Sequence, residues 1–171
     1  MPEGSQGLNV ARNIGFLAGL PHTVPAYTVN RFCASGLQTV ASVAARVAVG
    51  ELGVAVAGGV ESMTAVPMGG FHPQFHPTLA IEYPEAYIGM GNTAENVAHR
   101  FDVDRSAQDA FALSSQQKAA AARESGRLAD EIVSIHTQVD GRDVHLEHDE
   151  LIRANTTLEG LAKLRPAFSQ K

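Results

Sequence analysis

The sequence predicts an α/β chain, with a layered α/β portion first and a loop-rich region of helices and one β-hairpin after it. Three observations carry this. A strand-like, helix-like, strand-like succession spans residues 24–60 at the length of a parallel crossover. The run 53–60 (GVAVAGGV) has no polar face, as a strand covered on both sides requires. Asp140-Gly141 sits between two β-rich runs, the strongest short hairpin signal. The 171 residues fit one domain or one lobe of a larger protein, and 44% hydrophobic residues can support a core.

Each element follows from its pattern. Leu8, Ala11, Ile14, Phe16 and Leu17 fall near one helical face, so residues 8–19 read as a helix stopped by Gly19 and Pro21. Residues 24–30 (VPAYTVN) are short and β-rich, a strand. From about Cys33 to Val49, the positions Leu37, Val40, Ala41, Ala44 and Ala45 keep helical spacing, and Gly50 ends the helix. Residues 53–60 form the second strand. Residues 64–89 hold four prolines and little periodicity, which reads as a long functional loop. A helix is expected from Asn92, where Asn92 and Glu95 have capping-box spacing. Another follows Asp104 and runs to Gly126 through strong helix formers. Residues 131–147 form the hairpin, and Thr157 to Leu164 a last short helix before Pro166.

Composition excludes several functions. Thirteen Lys+Arg against eighteen Asp+Glu leave a net charge of -5 and no basic stripe, which argues against nucleic-acid binding. No apolar run approaches the roughly 18 residues of a membrane span, and the first residues lack the layout of a secretory signal. The single cysteine, Cys33, rules out an internal disulfide and a cysteine-rich zinc site, and a reducing cytoplasm fits. The pairs His72/His76 and His145/His148 have spacings a metal could use. Intervening proline spoils the first and strand alternation splits the second, so no metal site is expected.

Cys33 is the sharpest local feature. It stands where strand 24–30 gives way to a helix, and the free N–H groups and macrodipole of a helix N-terminus favour a thiolate. Ala34, Ser35 and Gly36 leave room for a substrate, so Cys33 is a candidate nucleophile for acyl transfer. The alternative is an inert buried thiol, which a lone cysteine in an α/β protein usually is.

The residues around it settle on a family. Val29-Asn30-Arg31-Phe32-Cys33-Ala34-Ser35-Gly36-Leu37-Gln38 resembles the nucleophile segment of the thiolases, the acetyl-CoA acyltransferases and 3-ketoacyl-CoA thiolases. In the same order, Gly58-Gly59-Val60-Glu61-Ser62-Met63-Thr64 resembles the family's GGxESMS, and Met90-Gly91-Asn92-Thr93-Ala94-Glu95-Asn96 its MGxTAEN. Thr157-Leu158, then Leu161-Ala162-Lys163-Leu164-Arg165-Pro166-Ala167-Phe168, resembles TLExLAKLRPAF. The resemblance covers essentially the whole chain. Asn30-Arg31, Gln38 and the Phe-His-Pro loop at 71–73 look more like the degradative 3-ketoacyl-CoA thiolases than the biosynthetic branch. Ketoacyl-carrier-protein synthases share the fold, but their nucleophile segment reads more like TACSS.

The resemblance implies a thiolase-like fold, with residues 1–63 a partial N-terminal domain carrying the nucleophile and residues 64–171 the coenzyme A-binding loop domain. It implies that Cys33 attacks the 3-keto carbon of a 3-ketoacyl-CoA, its backbone N–H contributing to the oxyanion hole, and that free CoA takes the acyl group in a ping-pong cycle. Arg153 matches the arginine at the CoA nucleotide end, and Met90 and Ile81 match apolar positions along the pantetheine channel. The plain alternatives are a solvated charge for Arg153 and ordinary core for Met90 and Ile81. Coenzyme A is then a substrate, no resident cofactor is expected, and the full-length family form is a homodimer or homotetramer. Gly89 replaces the histidine that many thiolases, especially biosynthetic ones, place before the MGxTAEN methionine, which removes a pocket contact.

The family's catalytic histidine in GHPxG and its second cysteine in CxGxG have no counterpart here; the family's C-terminal domain is absent from these residues. The expectation is a piece of a degradative thiolase that does not turn over alone. The alternatives are a biosynthetic acetoacetyl-CoA thiolase, or a non-catalytic assembly or binding piece completed by another chain.

Overall fold

A computed structural model describes residue 4 and residues 6–168. They fall into two compact units, Met1–Thr78 and Leu79–Lys171.

In the first unit, α1 (Val10–Leu17) starts at Asn9, whose side chain accepts the Arg12 N–H at 3.2 Å. The expected helix 8–19 is thus shorter: Leu8 lies outside it in the left-handed region (φ 71), not on its apolar face. The α1 side chains then hold the next segment. The Asn9 amide donates to the Ala26 carbonyl at 3.0 Å, the Thr28 hydroxyl donates to Asn9 at 2.9 Å, and Arg12 donates to the carbonyls of His22 (2.7 Å) and Val24. Arg12 also lies over the Phe16 ring, 4.2 Å from its centre. The second helix, α2 (Ser35–Ala48), begins two residues later than the pattern implied.

The expected parallel strand pair does not form. Residues 24–30 and 53–60 carry no strand ladder, and among the described residues the one sheet is a hairpin in the second unit. The reason is physical. A strand needs a neighbour for its N–H and C=O groups, and here the carbonyls of Val24 and Ala26 are taken by α1 side chains. Residues 53–60 are equally single: Val54 and Val56 are 86% and 91% exposed, where burial on both faces was expected. Among the described residues, Val66 in this unit and Ala120 in the other are the buried hydrophobic side chains.

The stretch 64–89 is not all loop. It contains α3 (Pro77–Glu82) and a 3₁₀ turn, Pro84–Tyr87. Both begin with proline, whose fixed φ and missing N–H suit the first helical position. Proline count hid two helical turns that proline itself starts.

In the second unit, α4 (Met90–Arg100) begins two residues before Asn92. The Gly89 carbonyl accepts the Thr93 N–H at 3.1 Å, and no side chain caps the helix, so the Asn92/Glu95 capping box is not used. The long helix α5 (Arg105–Glu124) starts as expected at Asp104, which accepts the Ala107 N–H at 2.8 Å, and ends ahead of Gly126 at φ 75. The strands β1 (Ile135–Val139) and β2 (Arg142–Leu146) pair antiparallel across Asp140-Gly141. Positive φ at both turn residues, 51 and 74, makes this the tight turn whose twist matches the strands. Finally α6 (Leu158–Ala162), capped by Thr157 onto the Gly160 N–H at 3.0 Å, packs on α5.

Candidate functional site

Cys33 lies in the first unit as a free, exposed thiol, so the inert buried reading does not hold. It occupies the turn just before Ala34, the N-cap of α2. The turn is closely tied. Ala34 N–H donates to the Arg31 carbonyl at 3.1 Å, Ser35 N–H to the Phe32 carbonyl at 3.0 Å, and the Ser35 hydroxyl to the same carbonyl at 2.7 Å. In return the Arg31 N–H donates to the Ser35 hydroxyl at 2.8 Å. Phe32 sits in the left-handed region at φ 48, a conformation that costs a bulky L-residue about 1–2 kcal/mol. Its N–H is held by the Asn30 side chain at 2.9 Å. The bond network holds that backbone kink, and it turns the chain sharply at the cysteine. Arg31 is drawn aside by Gln38, which accepts from its guanidinium at 2.7 Å, while Gln38 donates to Ser42 at 3.0 Å. Asn30, Arg31 and Gln38, part of the family resemblance, thus have physical roles in shaping this turn.

The glycine-rich segment stays close to α2: the Thr39 hydroxyl lies 3.5 Å from the Gly58 carbonyl. A side chain at Gly58 or Gly59 would meet open space.

The other expected site residues lie in the second unit. Ile81 is on α3 and Met90 is the first residue of α4, 81% and 73% exposed. Neither is ordinary core. Arg153 is exposed between the hairpin and α6, and its peptide is held from two sides. Its N–H donates to the Gln116 side chain at 2.7 Å, and its carbonyl accepts the Thr156 hydroxyl at 2.7 Å and the Thr156 N–H at 3.2 Å. Gln116 carried no functional signal in the sequence, since one glutamine in an Ala-rich helix looks like a solvated position.

The histidine pairings differ from those the spacing offered. His145 faces His136 across the strands, with ring centres 3.9 Å apart and planes at 13°, while His148 lies beyond β2. The His145 Nδ1 is 3.5 Å from Glu147. Among the described residues no group of three or more His, Cys, Asp or Glu could hold a metal ion. No helix among them is long and apolar enough to cross a membrane.

The model of the thiolase N-terminal domain matches residues 1–171. The chain is 49% identical to a 3-ketoacyl-CoA thiolase of Bacillus subtilis over 98% of its own length and 45% of that protein's. It is 43% identical to the peroxisomal 3-ketoacyl-CoA thiolase 1 of Arabidopsis thaliana, over 98% of this chain and 39% of the relative. It is 46% identical to the peroxisomal 3-ketoacyl-CoA thiolase B of Rattus norvegicus, over 95% and 40%. The chain therefore spans less than half the length of these relatives. Its helices and two-stranded hairpin are a partial α/β thiolase-like fold, and the chain belongs to the thiolase family, matching that family's N-terminal domain.

Proposed function

We propose that this chain carries the nucleophile and part of the coenzyme A surface of a degradative, β-oxidation-type 3-ketoacyl-CoA thiolase. The observation that carries the reading is Cys33, a free and exposed thiol in a tightly bonded turn at the start of α2. Relatives named 3-ketoacyl-CoA thiolase support the substrate class.

In the proposed reaction the Cys33 thiolate attacks the 3-keto carbon. The C2–C3 bond of the substrate then breaks, and its electron pair leaves on C2 of acetyl-CoA, which takes up a proton. The acyl group stays on Cys33 as a thioester until the thiolate of a second CoA displaces it and restores the Cys33 thiolate. The backbone N–H of Cys33, in the turn ahead of the α2 N-cap Ala34, supplies part of the oxyanion hole. Arg153 holds the phosphorylated nucleotide end, for which a guanidinium is suited. Ile81 and Met90 give the pantetheine arm apolar surface. Coenzyme A is thus substrate and product, and the reading needs no resident cofactor. A reducing compartment such as the cytoplasm suits a free thiol at this position.

In the family, the proton transfers use a histidine and a second cysteine that these 171 residues do not include. We therefore expect acylation without turnover. Incubation with acetyl-CoA should place one acetyl group on Cys33 by transthioesterification, read by intact mass and peptide mapping, and Cys33→Ala should take up none. Thiolysis of acetoacetyl-CoA should stay at the uncatalysed rate. A family-like rate from the chain by itself, or acetylation elsewhere, would overturn this reading.

One observation favours a second reading, an assembly piece completed by another chain. The apolar side chains of α2 and of residues 53–60 are uncovered: Leu37 is 76% exposed, and α2 buries none of its residues. Size measurement with and without a chain supplying the rest of a thiolase separates the two readings, since a monomer in both cases removes the second.

A further inference from the structure

On α5, Asp109, Ala112, Leu113, Gln116, Ala119, Ala120 and Arg123 are less exposed and keep the three- and four-residue spacing of one helical face, with Ser114 and Ala122 less exposed beside it. Gln116, half-buried in the middle of that stripe, turns its amide oxygen to another part of the chain. It is bonded, 37 residues along the chain, to the N–H of Arg153 at 2.7 Å. The opposite side of the same residue is fixed as well, because the Arg153 carbonyl takes two bonds from Thr156, directly ahead of the Thr157 cap of α6. No side chain among the described residues pairs with the Arg153 guanidinium. The result is a fixed backbone carrying an uncommitted cation, in a chain whose net charge is -5. A general positive field is absent, so anion recognition at this point depends on where that one guanidinium starts.

We propose that Gln116 is the positioning residue for Arg153 in recognition of the phosphorylated nucleotide end of coenzyme A. The proposal rests on the reading of Arg153 given above. Gln116 itself does not need to touch the ligand. It anchors the peptide from which the guanidinium extends, so that less conformational freedom is lost when the phosphate is bound. Thr156 completes the anchor from the carbonyl side.

The test compares the full chain with Gln116→Met, which keeps the volume and removes the acceptor, and with Gln116→Glu, which keeps an acceptor. The probes are coenzyme A and pantetheine, which lacks the nucleotide, both under reducing conditions. Gln116→Met should bind coenzyme A about fivefold more weakly, the worth of one hydrogen bond, and bind pantetheine as the parent does. Gln116→Met combined with Arg153→Ala should bind no more weakly than Arg153→Ala alone, because the effect passes through that residue. Hydrogen exchange at the Arg153 amide should speed up in Gln116→Met and stay slow in Gln116→Glu. If Gln116→Met does not fold, the same cycle is run with Gln116→Ala, which also removes the acceptor, and a loss additive with Arg153→Ala overturns the proposal. Unchanged coenzyme A affinity in Gln116→Met, with a loss in Arg153→Ala, overturns the role of Gln116 and leaves the reading of Arg153 standing. Unchanged affinity in Arg153→Ala, or no binding by the parent, overturns both.

Discussion

Arg105, in the first turn of α5, closes the end of α6 by donating from its guanidinium to the Leu161 carbonyl at 2.6 Å. A second bond reaches the Leu164 carbonyl at 3.1 Å, and Asp109 fixes the guanidinium from its own helix at 2.8 Å. Helix C-termini leave carbonyls without partners inside the helix, and here another helix supplies the donor.

Arg105→Ala should therefore fray α6, which has five residues and little stability of its own. The expected cost is about 1 kcal/mol, one hydrogen bond to a charged group discounted for exposure. Hydrogen exchange should rise at the amides of α6 and stay unchanged at those of β1 and β2. Equal exchange across α6 in parent and variant would count against the closure.

Asp104 predicts a pH dependence. Its carboxylate accepts from the Ala107 N–H and then from the Ser106 hydroxyl, each at 2.8 Å, and is held below the usual aspartate range by those bonds. Glu51 is held low in the same way by its hydrogen bond to Arg46. A carboxyl whose folded value is depressed binds fewer protons folded than unfolded. Its contribution is complete above the unfolded value, about 3.9 for Asp and 4.3 for Glu, and disappears as pH falls through the folded one. Denaturation followed from pH 6 down to pH 2 should show stability falling across this window. In Asp104→Asn combined with Glu51→Gln that fall should be smaller, and an identical pH profile would reject the assignment.

Gly141 is set by backbone alone. It has φ 74 with open space where a Cβ would point. Gly141→Ala should destabilise the hairpin by about 1 kcal/mol, the cost of a left-handed L-residue. Gly141→Asn should recover much of that loss, because asparagine tolerates this region. The comparison is read in urea, and equal midpoints for the two variants would sink it.

Gly91 sits against Phe168, and a Cβ there would overlap the ring. Two effects oppose each other in Gly91→Ala. Alanine favours helix by about 1 kcal/mol over glycine, while the ring must move. The double-mutant cycle separates them: Gly91→Ala should stabilise a Phe168→Ala background by about that amount, and stabilise the parent less. The same gain in both backgrounds would mean that the ring shifts without loss.

What was legible in the sequence was local. Asp104 and Gly126 bracket α5 because a cap and a left-handed stop act within one turn. Asp140-Gly141 specifies its hairpin for the same reason. The segments 24–30 and 53–60 have strand composition, but a strand is defined by its neighbour, and no residue within them supplies one. Asn92 and Glu95 have the right spacing for a cap, yet Gly89 starts the helix earlier through its carbonyl. Beside Cys33, the start of α2 was readable to within two residues because a helix start is a local event. Gln116 was not, since its partner lies 37 residues away and nothing beside it in sequence points there.

Residues 53–60 have a practical consequence for anyone handling the protein. An uncharged run with exposed valines and no strand ladder among the described residues is adhesive, because it offers a template on which a like segment can add. Glu51 and Glu61 flank the run, but no residue from 53 to 60 carries a charge. Solubility should then depend on concentration more steeply than composition suggests, and a charge placed at Val54 or Val56 should raise the ceiling more than one placed on the surface of α5.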